Sequence, residues 1–115
     1  MRADAIDFAR GNAGTAGVAN WIEFVRQDLT AARPPAGPPG VMILNPPYGE
    51  RIGEERELLD LYAAIGRTTA DHWPGWKLFV FTNNDHLARA VGRRTVRKMP
   101  FFNGTIECRL CEYVT

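Results

Sequence analysis

The sequence predicts an α/β fold: parallel strands with helices on both faces of the sheet, closed at the end of the chain by an antiparallel β-hairpin. Three observations carry this expectation. The apolar run Val41-Met42-Ile43-Leu44 stops at Pro46 and Pro47. A short unbroken apolar run suits a strand buried on both faces, as in the middle of a parallel sheet. A second such run, Leu78-Phe79-Val80-Phe81, follows a stretch of helical periodicity, and strand–helix–strand succession favours parallel pairing. Finally, Arg94 to Phe102 and Thr105 to Val114 alternate like strands on either side of Asn103-Gly104, the dipeptide that most strongly favours a tight hairpin.

In chain order, Ala3 to Ala16 reads as a helix. Ile6, Ala9, Arg10, Ala13 and Gly17 step at helical spacing, Asp4 and Asp7 suit the positive end of the helix, and Gly17 suits its C-cap. Trp21 to Val25 is aromatic or β-branched at alternate positions and predicts a strand, with Gln27-Asp28 at its carboxyl end. The stretch 31–40 holds four prolines and two glycines and is expected to be a loop. After the Asn45-Pro46-Pro47-Tyr48 stretch, Glu54 to Glu57 gives an acidic first turn. Leu58, Leu61, Tyr62, Ile65, Thr69 and His72 then form one helical face. Pro74-Gly75 ends that helix, with Trp73 and Trp76 covering the end of the sheet. Trp76 to Thr82 is the next strand, buried on both faces. Asn83-Asn84-Asp85 caps a short helix over His86 to Val91, and Gly92 stops it.

A chain of 115 residues makes one domain at most, over 1–115, burying about two-thirds of the unfolded surface. The net charge of +1 neither demands nor forbids a nucleic-acid partner. No apolar run is long enough to span a bilayer, and the opening residues lack the apolar core of a signal peptide, so a soluble, cytoplasmic protein without a membrane partner is expected. Cys108 and Cys111 form a C-x-x-C, but on a strand, residues three apart face opposite ways. Two free thiols and no metal site are therefore expected; a zinc site would also need further ligands, and His72 and His86 show no metal spacing.

Chemistry gathers at Asn45-Pro46-Pro47-Tyr48. Prolines donate no backbone N–H, so they end the ladder and leave a stiff loop past the carboxyl end of a strand, the edge where open α/β sheets bind ligands. The loop carries an amide, a bare carbonyl and an aromatic ring. An exocyclic base amine is a poor nucleophile because its lone pair is delocalised into the ring. Two fixed acceptors, the Asn45 side-chain oxygen and the Pro46 carbonyl, hold both amine hydrogens and favour the tetrahedral form that attacks. Tyr48 stacks on the base, a contact worth roughly 1–3 kcal/mol. The prolines also restrict the residues before them, so the acceptors are positioned in advance. No spacing suggests covalent catalysis, and such a corner works by proximity and electrostatics.

The stretch Asn45-Pro46-Pro47-Tyr48-Gly49-Glu50-Arg51 resembles the target-amine motif of Rossmann-like, S-adenosylmethionine-dependent methyltransferases acting on base amines. It is most similar to the bacterial large-subunit ribosomal RNA guanine-N2 methyltransferases, the group often preceded by a THUMP domain. Ala9-Arg10-Gly11-Asn12-Ala13, Ala16-Gly17-Val18, Gln27-Asp28 and Phe102-Asn103-Gly104 agree with it. The resemblance covers nearly all of the chain but only about the rear two-thirds of such a domain. It implies methylation of guanine N2 in 23S ribosomal RNA, with Asn45, Pro46, Pro47 and Tyr48 as the catalytic corner. It also implies Asn45 and Asp28, which equally suits a plain turn, as contacts of S-adenosyl-L-methionine, and Tyr48 as a contact of the substrate; Arg51 suits a substrate phosphate or a surface salt bridge, and Phe102 the base pocket. Phe101 and Phe102 also suit the core. Arg89, Arg93, Arg94, Arg97 and Lys98 suit a solvated face or a phosphate contact.

The same resemblance marks what this sequence lacks. There is no G-x-G-x-x-G-like turn, and Arg2 stands where the family places a ribose-binding carboxylate. The cofactor cradle is thus incomplete, and the first two strands and the glycine-rich loop of the family fold are missing. Those strands belong between the Trp21–Val25 and Val41–Leu44 strands, a gap of about 14 Å at about 4.8 Å per strand spacing. The expected outcomes are a fragment, strands supplied by the missing N-terminal half or another chain, or a first helix and strand docked elsewhere. Exposed strand edges favour self-association. The alternatives are an adenine-N6 DNA methyltransferase, since the same four residues serve both bases, and a non-catalytic remnant that binds RNA.

Overall fold

The structure is a computed structural model and describes residues 3–48 and 55–114. The chain forms two compact units, Met1–Ala32 and Arg33–Thr115.

In the first unit, helix α1 spans Ala3–Thr15. Gly17 ends it with a positive φ of 76°. Val18 N donates to the Ala13 carbonyl and Gly17 N to that of Gly14, the paired closing bonds of a Schellman cap. The strand expected over Trp21–Val25 does not form. A 3-10 turn occupies Ala19–Trp21, and residues 22–28 belong to no helix or strand. Trp21 is 87% exposed, and Ile22 and Val25 are exposed as well. Strand propensity reflects how a side chain fits a pleated, half-buried surface, and among the described residues no neighbouring strand provides one. The Phe24 ring instead lies 5.9 Å from the Arg10 guanidinium.

The second unit holds a four-stranded sheet in the order β1-β2-β4-β3. Strand β1 (Val41–Leu44) pairs parallel with β2 (Lys77–Thr82), across helix α2 (Glu55–His72). Helix α3 (Asp85–Ala90) leads to β3 (Thr95–Asn103) and β4 (Ile106–Tyr113), and β4 inserts antiparallel between β2 and β3. The mixed sheet and its closing hairpin are as the sequence predicts. The turn sits one residue later than expected: Asn103 pairs with Ile106, leaving Gly104-Thr105 as the loop. Gly104 has a φ of 67° and no described non-glycine residue has a positive φ, which fits the turn type that needs glycine at its first central position only.

The core lies on the sheet face that carries Leu78, Val80 and Thr82, against Tyr62, Ile65, Leu87, Cys111 and Tyr113, all fully buried. Each large apolar side chain contributes about 1.5–3 kcal/mol by leaving water. Strand β1 is an edge rather than a doubly buried strand. Met42 and Leu44 are half-buried, whereas Val41 and Ile43 are 53% and 66% exposed, because no described strand pairs with the free side of β1. His72, expected on the packed face of α2, is exposed; Gly66 and Thr68 are buried instead. At the amino ends of β1 and β2, Gly40 rests on the Trp76 ring and Pro39 on Gly75. Trp73 meets Trp76 edge-on with centroids 5.0 Å apart.

Cys108 and Cys111 are free and buried, and their positions three apart on β4 put them on opposite sheet faces. Burial pushes the Cys111 thiol, the Tyr62 phenol and the Tyr113 phenol above their usual ranges. The Tyr113 hydroxyl also donates to the Ala88 carbonyl at 2.6 Å, tying α3 to the sheet. The unfolded chain ionises these phenols near their ordinary value of 10.0, while the folded chain resists. Their stabilising contribution is therefore complete below pH 10 and is lost as pH rises above it. The urea midpoint is expected to hold between pH 7 and 9 and to fall steeply by pH 11. A midpoint unchanged at pH 11 would contradict this.

Candidate functional site

The carboxyl ends of β1 and β2 carry the Asn45-Pro46-Pro47-Tyr48 corner. Asn45 and Pro47 are exposed and Pro46 and Tyr48 half-buried. Among the described residues, no hydrogen bond engages the Asn45 carboxamide or the Pro46 carbonyl. The next carbonyl is engaged: Pro47 O accepts from the Tyr62 hydroxyl at 3.0 Å. That hydroxyl also lies 3.2 Å from Thr82 Oγ1, which accepts from Asn84 N at 3.3 Å. The corner is therefore bound to the end of β2 from beneath.

Tyr48 is held at its hydroxyl end. Cys108 Sγ lies 3.9 Å from Tyr48 Oη, a weak contact at the limit of thiol hydrogen bonding. Thr82 pairs with Arg109, so Cys108 is one residue past the end of β2, and Tyr48 reaches across that end to touch it. The β3–β4 hairpin overhangs the same edge and brings Phe101 and Phe102 there. Neither is in the core: Phe102 is 72% exposed and Phe101 47%, the latter meeting Phe81 edge-on at 6.2 Å.

Below the corner, Asn84 caps α3 by accepting from Leu87 N at 3.1 Å. Asp85 pairs with Arg109 and, at 3.9 Å, with Lys98. The Arg109 guanidinium holds the Asp85 carboxyl below the usual carboxylate range. Arg97 pairs with Glu112 at 2.6 Å, and Arg93 donates to Thr69 Oγ1 at 2.8 Å. Arg93, Arg97 and Lys98 of the basic run 89–98 thus make internal contacts, although Arg97 and Lys98, like Arg89 and Arg94, are exposed.

Asp28 belongs to the first unit. It is exposed and caps the 3-10 turn Leu29–Ala31, with Oδ1 accepting from Thr30 N at 2.9 Å and Thr30 Oγ1 at 2.6 Å. Those bonds lower its pKa. Glu50 and Arg51 lie outside the described residues. The structure thus places Asn45, Pro46, Pro47, Tyr48 and Phe102 at one sheet edge. Sequence reasoning missed Tyr62, Thr82 and Cys108 as supports of that edge. A signal for Tyr62 was present: a tyrosine on an otherwise apolar helix face brings a hydroxyl that must find a partner.

No helix among the described residues is long and apolar enough to cross a membrane. Residues 1–112 match the model of the RMKL-like methyltransferase domain family. Curated relatives named ribosomal RNA large subunit methyltransferase K/L are similar to most of this chain. The protein from Alteromonas mediterranea is 39% identical over 95% of it, and that from Syntrophotalea carbinolica 41% identical over 95%. The chain spans only 16% of the length of each. Among solved structures, SMU.472, an inferred methyltransferase in complex with SAH, superposes with a TM-score of 0.86 at 28% identity, covering 97% of this chain and 29% of that one. A methylase from Listeria monocytogenes, predicted to be specific for adenine N6 in DNA, gives 0.81 at 26% identity over 99% of this chain and 28% of its own. A mixed sheet with a closing antiparallel strand and a family match over residues 1–112 lead to one assignment: the chain belongs to the RMKL-like methyltransferase domain family.

Proposed function

We propose that this chain is the amine-binding part of an S-adenosylmethionine-dependent methyltransferase acting on the exocyclic N2 amine of a guanine in 23S ribosomal RNA. The observation that carries this reading is the corner itself: Asn45 exposed, its carboxamide and the Pro46 carbonyl unengaged among the described residues, and the Pro47 carbonyl bound below. Asn45 Oδ1 and the Pro46 carbonyl accept the two amine hydrogens, which draws the nitrogen lone pair out of ring conjugation and turns it toward the methyl donor. Tyr48, held at its hydroxyl by Cys108, stacks on the extruded base. Phe102 lies beside the base and Arg51 meets a substrate phosphate. The names of the curated relatives support ribosomal RNA as substrate, and with it a cytoplasmic location. The neighbour holding SAH supports S-adenosylmethionine as donor.

The described residues do not themselves make a cofactor cradle. The sequence has no glycine-rich turn, and Asp28 already gives one carboxylate oxygen to Thr30. This chain's own residues are therefore assigned the amine end of the reaction only, with further protein completing the donor site. A second reading, adenine N6 in DNA, draws on the Listeria neighbour.

Tritium transfer from labelled S-adenosylmethionine, by the chain supplemented with the N-terminal half of the domain, separates them. Label in N2-methylguanosine of undermethylated ribosomal RNA is expected. Label in N6-methyl-2′-deoxyadenosine of DNA supports the second reading instead, and transfer to neither refutes both.

A further inference from the structure

We infer that the buried Tyr62 hydroxyl is a positioning group for the target-amine corner, acting through a hydrogen-bond relay that fixes which way the Pro46 and Pro47 carbonyls face. This inference rests on the amine-binding reading above. Tyr62 is wholly buried in the middle of α2, where a phenylalanine would fill nearly the same volume. What the hydroxyl adds is reach. It meets Pro47 O at 3.0 Å and Thr82 Oγ1 at 3.2 Å, and Asn84 N meets Thr82 Oγ1 at 3.3 Å.

Each hydroxyl has one proton to give. The arrangement that satisfies every group runs in one direction: Asn84 N–H donates to Thr82 Oγ1, Thr82 O–H to Tyr62 Oη, and Tyr62 O–H to the Pro47 carbonyl. Bonds aligned in this way polarise one another. The relay matters because Pro46 and Pro47 have no N–H, so at these two residues carbonyls are the only backbone handles. In an extended Pro-Pro segment successive carbonyls point in different directions. Binding that of Pro47 to Tyr62 leaves that of Pro46, which no described residue engages, as the carbonyl beside Asn45. No other described group binds this part of the loop from the helix side. The relay also ends at Asn84, the residue that caps α3, so the corner takes its orientation from two elements.

The test combines a rate with a signal independent of activity. In the tritium assay, Tyr62→Phe is expected to lower kcat by roughly 10- to 100-fold, the scale of a small misplacement of a reacting group, with KM for RNA within about threefold. Thr82→Val, which keeps the shape but not the hydroxyl, is expected to lower kcat in the same direction. Thr82→Ser is expected to restore the rate. In an Asn45→Ala background, Tyr62→Phe is expected to have almost no further effect, since coupled groups are not additive. Circular dichroism at the assay temperature keeps the comparison to folded protein. In carbon-13 spectra of the chain, the Pro47 carbonyl is expected to shift in Tyr62→Phe and Thr82→Val but not in Thr82→Ser.

An unshifted Pro47 carbonyl in Tyr62→Phe overturns the relay whatever the rates. A shifted carbonyl with a wild-type kcat, or with effects that multiply with Asn45→Ala, overturns the positioning role. If Asn45→Ala itself transfers normally, the amine-binding reading fails, and the positioning role built on it falls too, while the carbonyl shift still reports on the relay.

Discussion

Asn45→Ala is expected to lower methyl transfer by roughly 10²- to 10³-fold while leaving the fold unchanged. The magnitude follows from what the side chain gives the reaction. A preorganised hydrogen-bonding group aimed at developing charge is typically worth about 2.7–4 kcal/mol when deleted, and Asn45 Oδ1 is one of two such acceptors. The unchanged fold follows from its surroundings: Asn45 is exposed and no described residue bonds its carboxamide. Exposed substitutions of that kind shift stability by about 0.5 kcal/mol or less. Asn45→Asp keeps an acceptor oxygen and is expected to fall between alanine and wild type. Single-turnover transfer at saturating donor isolates the chemical step from binding. A rate for Asn45→Ala within threefold of wild type would remove the corner from the reaction.

The contrast between that residue and its supports shows how far the sequence could be read. The corner was legible because its chemistry is local: an amide, a carbonyl without a neighbouring N–H and a ring follow one another on a strand end. Elements stabilised by their own caps were legible too. Asn84 stands where α3 starts, and Gly17 and Gly92 stand where α1 and α3 stop. The hairpin was found to within one residue, because register depends on which pair closes the ladder and not on the Asn-Gly dipeptide alone. Elements whose stability comes from a partner were misread. Trp21-Ile22-Glu23-Phe24-Val25 has the composition of a strand, yet a strand needs a ladder, and here the segment is unpaired. Val41 and Ile43 carry the apolar signature of a central strand, but β1 is the edge of the sheet. Phe101 and Phe102 look like core residues and stand on an overhang. Tyr62 read as one more position on an apolar helix face. Only the fold shows that its hydroxyl arrives beneath a carbonyl fifteen positions earlier in the chain.

Gly66→Ala is expected to be the most damaging substitution of a single methyl group in the second unit. Gly66 lies inside α2, where alanine is favoured over glycine by about 1 kcal/mol on propensity alone. Here the preference is overruled. A Cβ built on Gly66 would stand 1.8 Å from the carbonyl oxygen of Val91 and 2.9 Å from its carbonyl carbon. Both are backbone atoms and cannot swing aside as a side-chain tip would. Either α2 withdraws or the end of α3 does. Withdrawal would also disturb Thr69, whose hydroxyl bonds the Ile65 carbonyl at 2.8 Å and receives Arg93 at 2.8 Å. Overpacking of a well-filled core costs about 1–3 kcal/mol, and a clash with fixed backbone belongs at the upper end. For a domain of this size, about 3 kcal/mol lowers the melting temperature by more than 10 °C. Moving α2 would move Tyr62 with it, four residues earlier on the same helix, so the variant is also expected to lose transfer below its own melting point. A melting temperature within 3 °C of wild type would mean that the close approach of Gly66 to Val91 does not set the packing of these helices.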